Sequence, residues 1–391
     1  MNSRQKYEDC DPPDAGTRIA PASGARKRLL FFSGGSALRE TAREMAQRGL
    51  DTLHLVTTFD SGGSSAALRR AFDMPAVGDL RSRVMSLADT RGPGVQEIYT
   101  LFAYRLPKEE RPERLTREMA RLVRGSHPLI RQIPEPMSGI IREHLAWFAT
   151  RMPADFPLPG ANIGNMVLAA GYLRHKRRLG PVISLFSRMV RARGTVCPIV
   201  DGNAHLAVRL ASGEVLCGQH RFTGKEGPPP ASPIRQIWLT ASLDPEDSFA
   251  VTISPRTAAL IEKALALVYP MGSFYSSLVA NLLPGGVGRA VAACPGPKIF
   301  VPNLGHDPEL AGHSLRLQVD RLLAPMLADA PEARPRDLLT HMLVDNNEDG
   351  YPGGIPRDFL KETGVEVRSF PLVAKDKKLI DARRLTEALI T

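Results

Sequence analysis

Thr57-Thr58-Phe59-Asp60-Ser61-Gly62-Gly63-Ser64-Ser65 follows the apolar run Leu53–Val56 directly, so a buried strand empties into a loop of small residues with one carboxylate. Gly62 and Gly63 let the backbone approach a ligand closely. Ser61, Ser64 and Ser65 add hydroxyl groups, and the helix expected next would turn its free amides toward an anion. Asp60, the only acid of the loop, is placed to hold a metal ion or a ligand hydroxyl. A related loop lies upstream, where Leu29–Phe32 runs into Ser33-Gly34-Gly35-Ser36. A helix is expected over Ala37–Arg48, with Leu38, Ala42 and Met45 at helical spacing and Arg39, Arg43 and Glu44 on the polar side. Strand, Gly-Gly loop, helix and second strand within about thirty residues form a βαβ unit of the nucleotide-binding kind. The third glycine of a dinucleotide fingerprint is missing, and no Gly-Lys-Ser/Thr follows to make a Walker loop. Two phosphate-type loops at adjacent strand ends argue against plain connections.

Outward from this unit, strand and helix alternate. Strands are expected at Leu29–Phe32, Leu53–Thr57, Val196–Val200, Ala266–Tyr269, Lys298–Val301, His341–Val344 and Val365–Phe370. Helices are expected at Pro308–Leu327, after the turn Gly305-His306-Asp307, and at Arg383–Leu389. Short apolar strands separated by helices imply a Rossmann-like, doubly wound α/β fold with a mostly parallel sheet covered on both faces. Two stretches break the alternation. Residues 205–220 alternate around Ser212-Gly213 as a β-hairpin. Residues 95–158 read as a helical insertion, with Leu115, Met119, Leu122 and Val123 in register, and it is expected to cap the ligand cleft. In such a sheet the ligand lies beyond the C-terminal strand ends. Gly34, Gly35 and Ser36, the Asp60 loop, and Gly272, Ser273, Tyr275 and Ser276 all follow strand-like runs, as does Asn303 after Ile299–Pro302. Tyr275 suits ring stacking or a packed core equally.

Composition fits one closed body, residues 28–391, behind a polar lead-in at 1–27 that reads as a disordered tail. The apolar fraction is 43%, with no run near the ~18 residues a membrane span needs. Cysteines at 10, 197, 217 and 294 show neither a disulfide framework nor zinc spacing, and the cytoplasm is the expected compartment. The net charge of +10 raises a nucleic-acid reading, but 40 of the 51 basic residues are arginines spread along the chain. The densest cluster, Arg174–Arg178, closes a helix, where cations are favoured anyway. No recognition module accompanies it, so neither nucleic acid nor membrane is an expected partner.

The chain resembles the CofD-like superfamily. One branch contains 2-phospho-L-lactate transferases of deazaflavin coenzyme synthesis; the other contains YvcK-type gluconeogenesis factors, which bind nucleotide-sugars. The resemblance runs from about Leu29 to the C-terminus through four ordered blocks: Phe32–Gly35; Asp60–Ser65 with Gly78-Asp79-Leu80-Arg81; Gly160–Asn165; and Gly272–Ser277. Phe32–Gly35 is similar to the transferases, and the second block to the regulators. It implies a nucleotide-diphospho-linked donor, a small-molecule acceptor and Mg²⁺, with a homo-oligomer compatible. By the same resemblance Asp60 and Asp79 serve the metal or acceptor hydroxyl, and Arg81 clamps phosphate. Asn162, Gly164 and Asn165 join the nucleotide site. Arg81 pairing with Asp79, or an asparagine acting only as an N-cap, stand as alternatives. Departures are Ala37 where a glycine is usual, Ser61 where a second acid is usual, and Pro270-Met271-Gly272-Ser273 for a Gly-Pro-Gly-Ser motif. The loss of an acid at Ser61 speaks for a sensor without turnover; the Phe32–Gly35 opening speaks for the transferase. His205 and His220, flanking the hairpin, are not expected to be catalysts.

Overall fold

The structure, a computed structural model, describes residues 28–374 and 379–391; the tail expected at 1–27 lies outside them. The main sheet has seven strands: β1 (Leu29–Ser33), β2 (Thr52–Val56), β3 (Thr195–Pro198), β7 (Ala266–Tyr269), β8 (Lys298–Phe300), β9 (His341–Asp345) and β10 (Glu366–Phe370). Their order is β10-β9-β8-β7-β1-β2-β3, and every adjacent pair is parallel. The order reverses between β1 and β7, the switch point of a doubly wound sheet. β1 shows why its sequence is apolar throughout. Leu30 and Phe32 join one buried cluster while Leu29 and Phe31 join another on the opposite face.

Strands β4 (His205–Leu210), β5 (Val215–Cys217) and β6 (Ile234–Thr240) make a second, antiparallel sheet in the order β5-β4-β6. The expected hairpin is present, turning at Gly213 with φ +91°, but β6 pairs with β4 and makes three strands of two.

Helices α1 (Arg39–Gln47), α2 (Gly63–Phe72) and α3 (Gly78–Ser86) follow the first two loops. The expected insertion is helical: α4 (Val95–Ala103), α5 (Pro112–Arg124), α6 (Pro128–Arg131) and α7 (Met137–Arg151). It packs beside the α8 (Ile163–Arg174) and α9 (Leu179–Met189) helices, sharing one buried cluster with Leu68 of α2 and Leu80 of α3. The turn around Arg105 reaches the second loop, where its guanidinium lies 3.4 Å from Ser64 Oγ, and it also lies 3.1 Å from the Gly160 carbonyl. The remaining helices are α10 (Pro255–Glu262), α11 (Val287–Ala293), α12 (Leu315–Asp329), α13 (Pro335–Leu338), α14 (Arg357–Glu362) and α15 (Ala382–Ile390). The single helix expected over Pro308–Leu327 is two pieces. A 3₁₀ turn at Pro308–Leu310 stops, Gly312 takes φ +72°, and Ser314 then caps α12 by accepting from Leu317 N at 3.3 Å. Among the described residues no helix is long and apolar enough to cross a membrane.

Candidate functional site

The crevice at the switch point is lined by Ser33–Leu38 from the first loop, by Pro270–Ser273 after β7, and by Ser277. Gly34, Gly35 and Ser36 therefore stand where the sequence placed them. Contact distances explain the glycines. A Cβ on Gly34 would lie 2.4 Å from Ser277 Oγ, and one on Gly35 would lie 2.5 Å from Asp79 Oδ1. Asp79 tucks its carboxyl under the first loop, against Gly35. Burial, with Asp60 nearby, pushes the Asp79 carboxyl up to about 6, against the opposing pull of Lys225 and Arg83.

The second loop is built beside it. Asp60 Oδ1 accepts from Gly62 N at 3.0 Å, so the carboxylate faces into its own turn. Gly63 opens α2 with φ +46°, a left-handed conformation that favours glycine. Over Gly78 the polar atoms converge: a Cβ there would meet Ser65 Oγ at 2.8 Å, Asp60 Oδ2 at 3.7 Å and Asn165 Nδ2 at 3.9 Å. Asn165 Nδ2 donates to Ser64 Oγ at 2.9 Å while its Oδ1 accepts from Arg81 Nε at 2.8 Å. The Asp60 loop, Asp79, Arg81 and Asn165 are thus one cluster, although more than a hundred residues separate its ends.

Several expected ligand groups are spent on the fold instead. Asn162 is the N-cap of α8, accepting from Asn165 N at 2.9 Å, and its amide donates to the carbonyls of Phe102, Ala103 and Tyr104. Gly164 is a packing glycine, because a Cβ would lie 2.7 Å from both Arg81 Cδ and the Phe102 carbonyl. Arg81 is no surface ion pair: it is held by Asn165 and by the Phe102 carbonyl at 2.9 Å. Burial draws its guanidinium down to about 10.

The third loop departs most. Tyr275 is 1% exposed, and its hydroxyl lies 2.8 Å from His313 Nε2 and 3.1 Å from the Ile234 carbonyl. The amides of Tyr275 and Ser276 both donate to Glu309 Oε2, at 2.7 and 2.8 Å, and Phe274 N donates to Asp307 Oδ2 at 2.8 Å. Ser276 Oγ donates to Glu309 Oε1 at 2.5 Å. Two internal carboxylates therefore occupy the anion-facing amides of this turn. Asn303 clamps Gly272 on both sides, accepting from its N at 2.8 Å and donating to its carbonyl at 2.7 Å. Gly272 and Ser273 remain on the crevice wall; Tyr275 and Ser276 do not line it.

Sequence reasoning passed over residues that hold the loops from beneath. Arg83, fully buried, donates to the Gly34 carbonyl at 2.7 Å. Arg69, 5% exposed, donates to the carbonyls of Phe59 and Asp60, both at 3.1 Å. Each lies within a helix among ordinary basic residues, and only its position in three dimensions distinguishes it. His220 also reaches the second loop, with Nδ1 2.9 Å from Ser61 Oγ.

As donors for a cation, Asp60, Asp79 and the Ser64 and Ser65 hydroxyls form an all-oxygen set, which fits Mg²⁺. Among the described residues no cluster of three or more His, Cys, Asp or Glu side chains is gathered for a metal, so a ligand's phosphates and water would have to complete it.

The seven-stranded parallel sheet, with its order reversing at a crevice lined by the Gly34-Gly35 loop, places the protein among the doubly wound α/β proteins. The chain belongs to the CofD family: the family described as 2-phospho-L-lactate transferase CofD matches residues 29–362. It is similar to the gluconeogenesis factor of Bacillus subtilis, 24% identical over 291 residues that cover 73% of this chain and 70% of that one. It is also similar to a putative gluconeogenesis factor of Thermoanaerobacterium thermosulfurigenes, 23% identical over 93% of this chain and 96% of the other. A crystal structure of a UPF0052 family protein from Bacillus halodurans superimposes with a TM-score of 0.68 at 20% identity, covering 94% of this chain and 100% of that one, and shares the fold.

Proposed function

We propose that the protein is a cytoplasmic transferase that takes a phosphoryl-linked group from a nucleotide-diphospho-linked donor to a small acceptor hydroxyl, in the manner of 2-phospho-L-lactate transferases. The observation that carries this reading is the placement of two carboxylates around the start of α3: Asp79 under the Gly35 turn, and Asp60 over Gly78, near enough for its charge to act on Asp79. Ser61 leaves the second loop one carboxylate short, and Asp79 supplies the second from α3. In the reaction, the acceptor oxygen forms a bond to the donor's distal phosphorus while the bridge to the nucleoside monophosphate breaks. The acceptor proton passes to Asp79, whose raised affinity for protons suits a general base. Loop amides at Gly34–Ser36 and Gly63–Ser65 carry the diphosphate, and Arg81 and Arg105 offset its charge. Bound Mg²⁺ would neutralise charge on the diphosphate, held by Asp60.

A second reading, a nucleotide-sugar sensor without turnover, draws support from the names of the relatives, which are gluconeogenesis factors. Mass spectrometry of nucleotide co-purifying with the protein separates the two. A guanosine diphospho-acid supports the transferase, and a uridine diphospho-sugar recovered unchanged after incubation with acceptors sinks it.

A further inference from the structure

Residues 218–230, between β5 and β6, run from the second loop to the Asp307-Pro308 turn that holds the third. Three contacts fix the course of this strap. Ser61 Oγ meets His220 Nδ1 at 2.9 Å and accepts from His220 N at 3.3 Å. Gly224 packs on Pro308, whose Cβ would lie 3.1 Å from a Cβ placed there. Glu226 Oε1 reaches back to the second loop, 2.7 Å from the position of a Cβ on Gly62. Lys225 stands between the last two contacts, so the path of the chain suspends it between the Asp60 loop and the Asp307 turn. Burial and Asp60 raise the Asp79 carboxyl, and Lys225 opposes them ahead of Arg83; Lys225 also opposes the rise that burial gives Asp307. Those two carboxyls lie behind opposite walls of the crevice, Asp79 against Gly35 and Asp307 bonded to Phe274 N beside Ser273.

A polyanion entering here meets Asp60, Asp79 and Asp307, so it needs cations whose donors are not already committed. The buried arginines beneath the loops are committed. Arg69 gives its donors to the Phe59, Asp60 and Ala204 carbonyls, Arg81 to Asn165 and the Phe102 carbonyl, and Arg83 to the Gly34 carbonyl. Lys225 is exposed, and its ammonium makes no hydrogen bond or ion pair among the described residues. A point charge on a flexible stem can also follow a ligand in a way that a bonded guanidinium fork cannot. We propose that Lys225 contacts the ligand's diphosphate from the strap, at the end next to Asp79, where the transferred phosphorus stands. This rests on the diphosphate reading of the crevice. Its ammonium then meets the charge that develops on the transferred group as Asp79 takes the acceptor proton.

The test is calorimetric titration of the full chain with inorganic pyrophosphate, without metal, at low and at physiological salt. Four proteins are compared: wild type, Lys225→Gln, Lys225→Arg and Lys263→Gln. Lys263 is an exposed residue at the end of α10, at the far end of β7 from the crevice, and its loss changes the net charge equally. Lys225→Gln should bind about 10-fold more weakly, the scale of one hydrogen bond to a charged group, and its affinity should depend less on salt. Lys225→Arg should stay within about 3-fold of wild type because it keeps the charge. Lys263→Gln should match wild type, since a remote exposed charge is screened. Equal melting temperatures are expected for all four. Unchanged binding in Lys225→Gln overturns the proposal and leaves the reading of the loops standing. Equal weakening in Lys225→Gln and Lys263→Gln overturns it as well, because net charge would then be the cause. So does a Lys225→Arg protein as weak as Lys225→Gln. No pyrophosphate binding to wild type overturns this proposal together with the diphosphate reading.

Discussion

Asp60 and Asp79 divide the work of the site between two elements, and their substitutions should differ in kind. Asp60→Asn keeps the shape of the turn, since an amide oxygen can still accept from Gly62 N. It removes charge, so turnover should fall at least ~10²-fold with donor binding in the absence of metal little changed. Full turnover by a folded Asp60→Asn protein would remove it from the mechanism. Gly35→Ala tests Asp79 without touching the carboxylate. Its Cβ would lie 2.5 Å from Asp79 Oδ1 and 3.1 Å from Asp79 Cα, so the carboxyl must swing out of its place. A displacement of about 1 Å costs on the order of 10²-fold in a positioned reaction, so kcat should drop by that scale. Wild-type kcat in Gly35→Ala would mean that Asp79 does not act from this position.

Among the elements, α8 shows how a motif that reads as a ligand site becomes a joint. Asn162 caps the helix and ties it to three carbonyls after α4, while Asn165 connects Ser64 to Arg81. Asn162→Ala should therefore lower stability by about 2 kcal/mol or more in urea denaturation, combining a lost cap with buried carbonyls left unpaired. Asn165→Ala should cost less stability and more ligand affinity, because its partners are the loop and Arg81. Equal losses of stability in the two variants would contradict this division. The π-helical turn at Phe274–Leu278 follows a similar logic, since Glu309 and Asp307 supply from within the acceptor oxygens its amides face.

For the whole molecule, Glu309 predicts a dependence of stability on pH. Burial first, and Asp307 beside it second, push its carboxyl up to about 7, despite the opposing hydrogen bonds from Ser276 and Tyr275. The folded chain then retains a proton that the unfolded chain releases near the ordinary carboxylate range. Above that range the native state binds more protons than the unfolded state, so stability falls as pH rises toward 7 and levels beyond it. The loss should be of order 3 kcal/mol across the window. Denaturation midpoints from pH 4.5 to 8 should show this slope in wild type and lose it in Glu309→Gln. An unchanged slope in the variant would assign the effect to another group.

The parallel sheet was legible in the chain because both faces of its central strands, such as β1 and β7, had to be apolar, which leaves short uninterrupted runs that need no partner to be recognised. The two Gly-Gly loops were legible for a comparable reason: close backbone approach and a left-handed φ at Gly63 demand glycine locally. What lines the crevice was not. Arg69 and Arg83 look like surface arginines until the fold buries them under the loops, and Asn162 and Ser276 look like ligand groups until Phe102 and Glu309 claim them. The split of the expected Pro308–Leu327 helix came from the same source, since it places Asp307 and Glu309 against the third loop. Periodicity and turn chemistry act over a few residues, so the sequence by itself determined the strands, their loops and the family. Hydrogen-bond partners lie as far apart as Ser64 and Asn165 or Asn281 and Ser33, and a polar side chain has as many candidate partners as the chain has acceptors. Only the tertiary structure, by bringing one partner within hydrogen-bond distance and burying the pair, decided which polar groups serve the fold and which are left for a ligand.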